Sequence, residues 1–190
     1  MTRDREVVIN SDNIYIAGEP DKFVMMEWET PLMKKHAEVV TKNGGDILEI
    51  GFGMGISSNF IHQSGVKSHT IIELKKDIYQ KALEWSKDKP NVKVIFGDWF
   101  FLAPLIILNK YDGIFYDADC SNLGLFKNKI VDKCIKEFGI FSFFDPKLSD
   151  VYGYRDNIKK ELVIINDIPK NLYHNEKECW CPWVEYPTNL

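Results

Sequence analysis

Gly45-Asp-Ile-Leu-Glu-Ile-Gly-Phe-Gly-Met-Gly55 is the stretch on which the fold of this chain turns. Its first half, Asp46 to Ile50, is a short apolar run bounded by glycines and reads as a strand. Its second half sets glycines at 51, 53 and 55 directly before a helical pattern over Ser57 to Gln63. Glycine tolerates positive φ and lets a ligand approach backbone amides, so strand, glycine turn and helix start together predict a ligand-binding loop. The third glycine of the dinucleotide fingerprint is missing, and no phosphate-binding lysine follows.

Outward from this loop the chain alternates. Short apolar runs at Thr70 to Ile72, Val92 to Phe96, Gly113 to Tyr116 and Gly139 to Phe144 read as further strands. Helical spacing covers Asp77 to Lys87 and Leu123 to Glu137, while Phe100 to Leu108 fits a helix or a buried loop. Upstream, Thr30-Pro31 starts a helix, the Thr to accept from orphan amides and the Pro for its fixed φ; Asn43-Gly44-Gly45 stops it. Parallel neighbours need crossovers, so the alternation predicts an α/β fold: a mostly parallel sheet with helices on both faces. The tail, with Leu162 to Ile165 and the aromatics Trp180, Trp183 and Tyr186, suits late antiparallel strands at the sheet edge. One domain over 1–190 is expected: an N-terminal lid and first helix (1–43), a cofactor-binding core (44–150) and edge strands (151–190).

Composition removes several function classes. Over 190 residues, 24 basic groups face 28 acidic ones, and a net charge of -4 offers no field to hold nucleic acid or anionic lipid. The apolar uncharged stretch Trp99 to Asn109 contains Pro104 and falls short of the about 18 apolar residues a spanning helix requires. The N-terminus mixes both charge signs and has no signal-peptide pattern, so a cytoplasmic protein is expected. Cys120, Cys134, Cys179 and Cys181 read as reduced thiols. His174 with Cys179 and Cys181 lacks a second pair for a four-ligand site, so no metal is expected.

The ligand is read from what surrounds the loop. Glu73 ends the second strand about 20 residues further on, where a carboxylate can accept both hydroxyls of a ribose. Asp98 and Trp99 follow the third strand, an acid for an exocyclic amine and an indole for an adenine face. Glu49 and the missing phosphate-binding lysine favour a ligand with a charged amino acid end, which S-adenosyl-L-methionine has. A nicotinamide cofactor is the alternative, disfavoured by the missing glycine and by Met54.

Phe23-Val-Met-Met-Glu-Trp-Glu-Thr-Pro-Leu-Met33 followed by the 45–55 segment resembles guanidinoacetate N-methyltransferase and its relatives among small-molecule and protein arginine methyltransferases. The resemblance continues through Ile71-Ile-Glu73, Gly97-Asp-Trp99 and Tyr111-Asp-Gly-Ile-Phe-Tyr-Asp117, and more faintly to the C-terminus. It implies a class I methyltransferase (Rossmann-like) fold with a sheet of the seven-stranded type. It also implies that Gly51, Gly53 and Met54 form the cofactor loop, that Met25 lies close to the cofactor, that Glu73 takes the ribose and that Gly97, Asp98 and Trp99 take the adenine. In the family the acids matching Glu29 and Asp117 hold the substrate guanidino group, and both are present.

The chemistry gives an independent reason for such a pair. A guanidinium is protonated at neutral pH and its lone pairs are delocalised, so it is a poor nucleophile. Two carboxylates can grip its planar fork, aim one nitrogen in line with a sulfonium methyl and favour proton loss as the bond forms. The expected function is therefore S-adenosylmethionine-dependent N-methylation of a small guanidino compound such as guanidinoacetate, arginine or agmatine, with Glu29 and Asp117 as the clamp. Asp119 departs from the familiar pattern, which has a bulky aromatic there; a third acid would repel a short guanidino carboxylate and welcome a second cation. The short stretches before Phe23 and between Phe144 and Leu162 imply a reduced lid, open to the alternative acceptor, an arginine of a peptide or protein. A non-catalytic cofactor-binding subunit and an aminopropyl transferase are further alternatives, disfavoured by the intact acids and by Trp28-Glu-Thr-Pro31 respectively.

Overall fold

The five apolar runs are the contiguous parallel strands of one sheet in the computed structural model of the chain, which describes residues 5–118, 120–148, 157–166, 168 and 177–187. In chain order the elements are β1 (Val7–Ile9), β2 (Asn13–Ile16), β3 (Glu19–Met26), α1 (Thr30–Val40), β4 (Asp46–Ile50), α2 (Ile56–Gln63), β5 (Ser68–Glu73) and α3 (Lys76–Ser86). There follow β6 (Val92–Phe96), α4 (Trp99–Ile106), β7 (Tyr111–Tyr116), α5 (Leu123–Phe126), a π-helical stretch (Lys127–Val131), α6 (Asp132–Cys134), β8 (Ile135–Phe143), β9 (Lys159–Ile164) and β10 (Glu178–Glu185). The seven-stranded order is β6-β5-β4-β7-β8-β10-β9, parallel from β6 to β8, with β10 and β9 antiparallel. This is the class I methyltransferase fold expected from the sequence.

Alternation along β4 sorts the core. Ile47 points to the face covered by α1 and α2, where it packs with Met33, Val40 and Phe115. Leu48 and Ile50 point to the other face, packing with Ile114, Tyr116, Phe126 and Phe141 against the 123–134 helical segment and α4. Phe100 to Leu108 proves helical, because Asp98 accepts from the Phe100 N–H at 2.8 Å and caps α4.

Three details differ from expectation. The helix expected to reach Glu137 ends at Cys134, and β8 begins at Ile135. Pairing jumps from Tyr111↔Ile135 to Gly113↔Ile140, a bulge that leaves Phe138 exposed at a φ of 60°. Thr30 is already inside α1, after a 3₁₀ turn over Glu27–Glu29, and its hydroxyl donates to the Glu27 carbonyl at 2.6 Å instead of accepting from helix amides. Finally, no strand was expected before Thr30, yet β1, β2 and β3 form an antiparallel sheet. Its first two strands are three and four residues long, too short for alternation to stand out, and Gly18 makes the β2–β3 turn at a φ of 80°. Ile14 packs with Phe52 of the glycine loop and Met25 joins the α1 core, which lays this small sheet over the loop. No helix among the described residues is long and apolar enough to cross a membrane.

Candidate active site

Parallel pairing does not stop at the strand ends. Gly51 donates to Ile72, Asp117 to Ile50, Gly97 to Glu73 and Phe144 to Tyr116, each backbone bond at 2.9 Å. These continuations carry Gly51, Gly97, Glu73 and Asp117 to one carboxyl edge of the sheet, where open α/β sheets bind ligands.

The loop is tightly built. Gly51, Gly53 and Gly55 have φ values of 91°, 53° and 80°. A Cβ at Gly51 would collide with the Asp117 carbonyl oxygen, and one at Gly53 would meet the Met25 sulfur at 2.5 Å. Met25 itself is buried, and its sulfur accepts from the Met54 N–H at 3.1 Å, so Met25, Gly53 and Met54 are in contact. Glu73, 4% exposed, accepts from the Phe52 N–H at 2.8 Å and the Lys75 N–H at 2.6 Å. Burial raises its pKa, and these backbone bonds oppose the rise. Backbone N–H groups of Gly53 and Leu74 oppose the rise as well, so the carboxylate faces the loop and gathers its amides.

Three residues are spent differently from the sequence expectation. Glu49 is fully buried and accepts from Ser57 at 2.5 Å, Ser58 at 2.6 Å and His69 at 2.9 Å. It ties the first turn of α2 to the sheet and is closed off from the edge. Ser57, Ser58 and His69 were not singled out in the sequence, since no local motif marks a contact made across eight or twenty positions. Trp99, partly buried, packs its ring edge-on against Phe126 at 5.1 Å and Tyr116 at 6.3 Å at the border of the core. Asp98 caps α4, as described. Asp119 lies outside the described residues, as does His174.

Glu29 and Asp117 come together from different parts of the chain. Glu29, 2% exposed at the start of α1, accepts from the Met26 N–H at 2.9 Å. Burial first, and the Asp117 charge second, raise its carboxyl from the ordinary 4.5 to about 8. Asp117 sits partly accessible at the mouth of β7. Burial, then the charges of Glu49 and Glu73, raise it from 3.8 to about 7. Among the described residues no hydrogen-bond donor reaches the Asp117 carboxylate, and Glu29 has the one from Met26. Glu29 thus has a single donor, and neither acid has a cation beside it among the described residues. Cys120 adds a tether, its thiol donating to the Phe144 carbonyl at 2.8 Å and binding the loop after β7 to the end of β8.

The family model described as guanidinoacetate N-methyltransferase matches residues 9–132. A protein arginine N-methyltransferase 2 from Kluyveromyces lactis is 35% identical over 161 residues, which cover 75% of this chain and 39% of that protein. The chain thus spans about two-fifths of the length of that relative. Among solved structures, spermidine synthase from Thermotoga maritima superposes with a TM-score of 0.64 at 17% identity, covering 97% of this chain and 69% of that one. The N-methyltransferase NodS from Bradyrhizobium japonicum gives 0.58 at 14% identity, covering 84% and 97%. Those structures share the sheet and its edge; the sequence match, which spans the lid, Glu29, the glycine loop and Asp117, is what places the chain. It belongs to the guanidinoacetate N-methyltransferase family.

Proposed function

We propose that this chain binds S-adenosylmethionine at the glycine loop and methylates a guanidino nitrogen held between Glu29 and Asp117, the acceptor being an arginine of a peptide or protein. The observation that carries the proposal is the pair of donor-poor carboxyls at the carboxyl edge, Glu29 buried and Asp117 partly accessible, the latter packed on a glycine of the loop. The choice of acceptor rests on the relative's name, protein arginine N-methyltransferase 2. The small guanidino acceptor expected from the sequence is the second reading, favoured by the family's description.

The residues fit the cofactor. Gly51 and Gly53 let the loop pack tightly on the Asp117 carbonyl and on Met25, Met25 and Met54 wall it, and Glu73 stands beside it at the end of β5, where a ribose would lie. S-adenosylmethionine, when bound, supplies a methyl on a sulfonium that needs no metal to be electrophilic. All other work falls to side chains of this chain. Glu29 and Asp117 accept charge-assisted hydrogen bonds from the guanidinium N–H groups, in a site dry enough to strengthen each bond. Gripped from two sides, the planar fork presents one nitrogen in a fixed direction, which supplies orientation. As that nitrogen takes the methyl it must lose a proton, and an adjacent carboxylate whose pKa lies near neutrality in the empty site accepts it.

The test is mass-spectrometric methyl transfer to an arginine peptide, guanidinoacetate, arginine and agmatine, run beside Asp117→Asn. Methylation of the peptide that disappears in the variant is expected. Transfer only to a small compound would establish the second reading, and cofactor binding with no transfer to any acceptor would refute both.

A further inference from the structure

His36 lies outside the proposed chemistry, yet it is fully buried and has an unusual set of neighbours. Its ring stacks on Phe115 at 4.7 Å between centroids and 23° between planes. Its Nδ1 is 2.7 Å from the Ser142 hydroxyl, which lies 2.7 Å from the Pro182 carbonyl. Ser142 has one proton and the carbonyl can only accept, so the hydroxyl donates to Pro182 and His36 Nδ1–H donates to Ser142. The neutral tautomer that results agrees with burial, which pushes the His36 pKa down to about 3. Nε2 is a buried acceptor with no partner among the described residues. The Cys181 sulfur, 3.3 Å from Nδ1, completes the surroundings with a thiol that burial raises to about 12. One side chain thus joins α1 to β7, β8 and β10.

Its position gives this junction a purpose. Glu29 caps the start of α1 and His36 follows seven residues later, about 10 Å along the helix axis. Phe115 and Asp117 are two apart, on one face of β7 and its extension, about 7 Å from each other. At the far end of the helix, a Cβ on Gly113 would collide with the Val40 carbonyl, so helix and strand touch there. α1 therefore runs antiparallel along β7, with Val40 on Gly113, His36 on Phe115 and Glu29 beside Asp117.

We infer that His36 is a positioning residue that sets the gap between Glu29 and Asp117, through its stack on Phe115 and its hydrogen bond to Ser142. The inference deepens the proposed function and rests on it for its catalytic consequence. A misplacement of about 1 Å costs on the order of 100-fold in rate.

The test compares His36→Phe, which keeps a stacked ring and loses the donor, with His36→Asn, whose amide restores a donor near Nδ1. In His36→Phe, kcat/KM for the arginine peptide is expected to fall about 10- to 100-fold while cofactor affinity stays within about twofold. His36→Asn should recover most of the loss. Ser142→Ala, which removes the acceptor and keeps the ring, replaces His36→Phe if that variant does not fold. Equal losses of cofactor and acceptor binding, or no rescue by His36→Asn, would overturn the inference. If the wild type methylates nothing, the proposed function fails alone, and the pH dependence of Tm decides the role of His36. That dependence is read above about pH 7, where the imidazole is neutral in the folded and largely so in the unfolded chain and the Asp117 charge adds to burial in raising Glu29: a flatter fall in His36→Phe supports the inference, and an unchanged one overturns it.

Discussion

Glu29→Gln should make the free protein more stable at alkaline pH while removing its methyl transfer. The folded state raises Glu29 from 4.5 to about 8, so between those values it holds a proton that the unfolded chain has released. Stability then falls as pH rises through this window, because the native state binds more protons than the unfolded one. The whole shift corresponds to about 5 kcal/mol, at about 1.4 kcal/mol per unit, and about 3 kcal/mol of it is lost between about pH 5.5 and 8.5. For a domain of this size that is a fall in Tm of about 6–12 °C. A Gln keeps an acceptor for the Met26 N–H, made at 2.9 Å in the wild type, and cannot ionise.

The assay is Tm against pH by calorimetry, wild type beside Glu29→Gln. The variant should retain a shallower slope, since Asp117 is raised to about 7 by burial, Glu49 and Glu73 and not by Glu29. It should lie above the wild type at about pH 8.5, with the curves converging towards about pH 5. A guanidinium ligand should raise the wild-type Tm more at the alkaline end, because at acid pH it must displace protons to bind. Parallel curves, or a variant less stable at about pH 8.5, would refute the reasoning that Glu29 is buried without a cation.

Other substitutions test the remaining parts. Asp117→Asn should lower kcat about 100-fold or more while cofactor affinity, measured by calorimetric titration, changes little. Gly51→Ala places a Cβ against the Asp117 carbonyl at a φ of 91°, so it should cost about 1–3 kcal/mol by denaturant titration and weaken cofactor binding at least about tenfold. Glu49→Gln leaves one of its three donors, Ser57, Ser58 or His69, without a good acceptor; it should cost about 1–3 kcal/mol and leave cofactor affinity within about threefold. A large loss of cofactor affinity in Glu49→Gln would return that residue to the cofactor pocket.

What could be read from the chain follows from how local its cause is. The glycine loop was legible because positive φ and close backbone approach are demanded at the residue itself, at Gly51 and Gly53. The parallel strands were legible because each buried run is continuous and bounded by turns. The β1–β3 sheet was not, since its strands alternate over too few residues and its purpose, covering Phe52, is tertiary. The structural roles of Glu49 and Trp99 were hidden for the same reason: a carboxylate and an indole at these places in sequence suggest ligand contacts, while the partners Ser57, Ser58, His69 and Phe126 arrive from elsewhere in the chain. For His36 the helical spacing it shares with Leu32, Met33, Val39 and Val40 signals burial but not its partners, because these, Ser142 and Pro182, come from far along the chain.

Glu49, Glu29 and Asp117 show how to tell an acid used for structure from one kept for a ligand. Glu49, the most deeply enclosed, has three side-chain donors, and its burial is matched by bonds the chain itself supplies. Glu29 has one backbone donor and Asp117 none among the described residues, yet they lie close enough for the charge of one to raise the other. Two like charges placed together in a poorly solvated site destabilise the empty fold, and a neutral pair would serve the core better. A proton on Glu29 relieves this below about pH 8, and on the proposed reading a cation with several directed donors relieves it by entering between them. A guanidinium brings one positive charge and five N–H groups in a plane, against two carboxylates offered from α1 and β7 on opposite sides. A lysine ammonium would neutralise the charge equally well but would leave the fork unmatched. The choice between the two is measurable: at equal concentration, a guanidinium compound should raise Tm at about pH 8 well above what its amine analogue achieves.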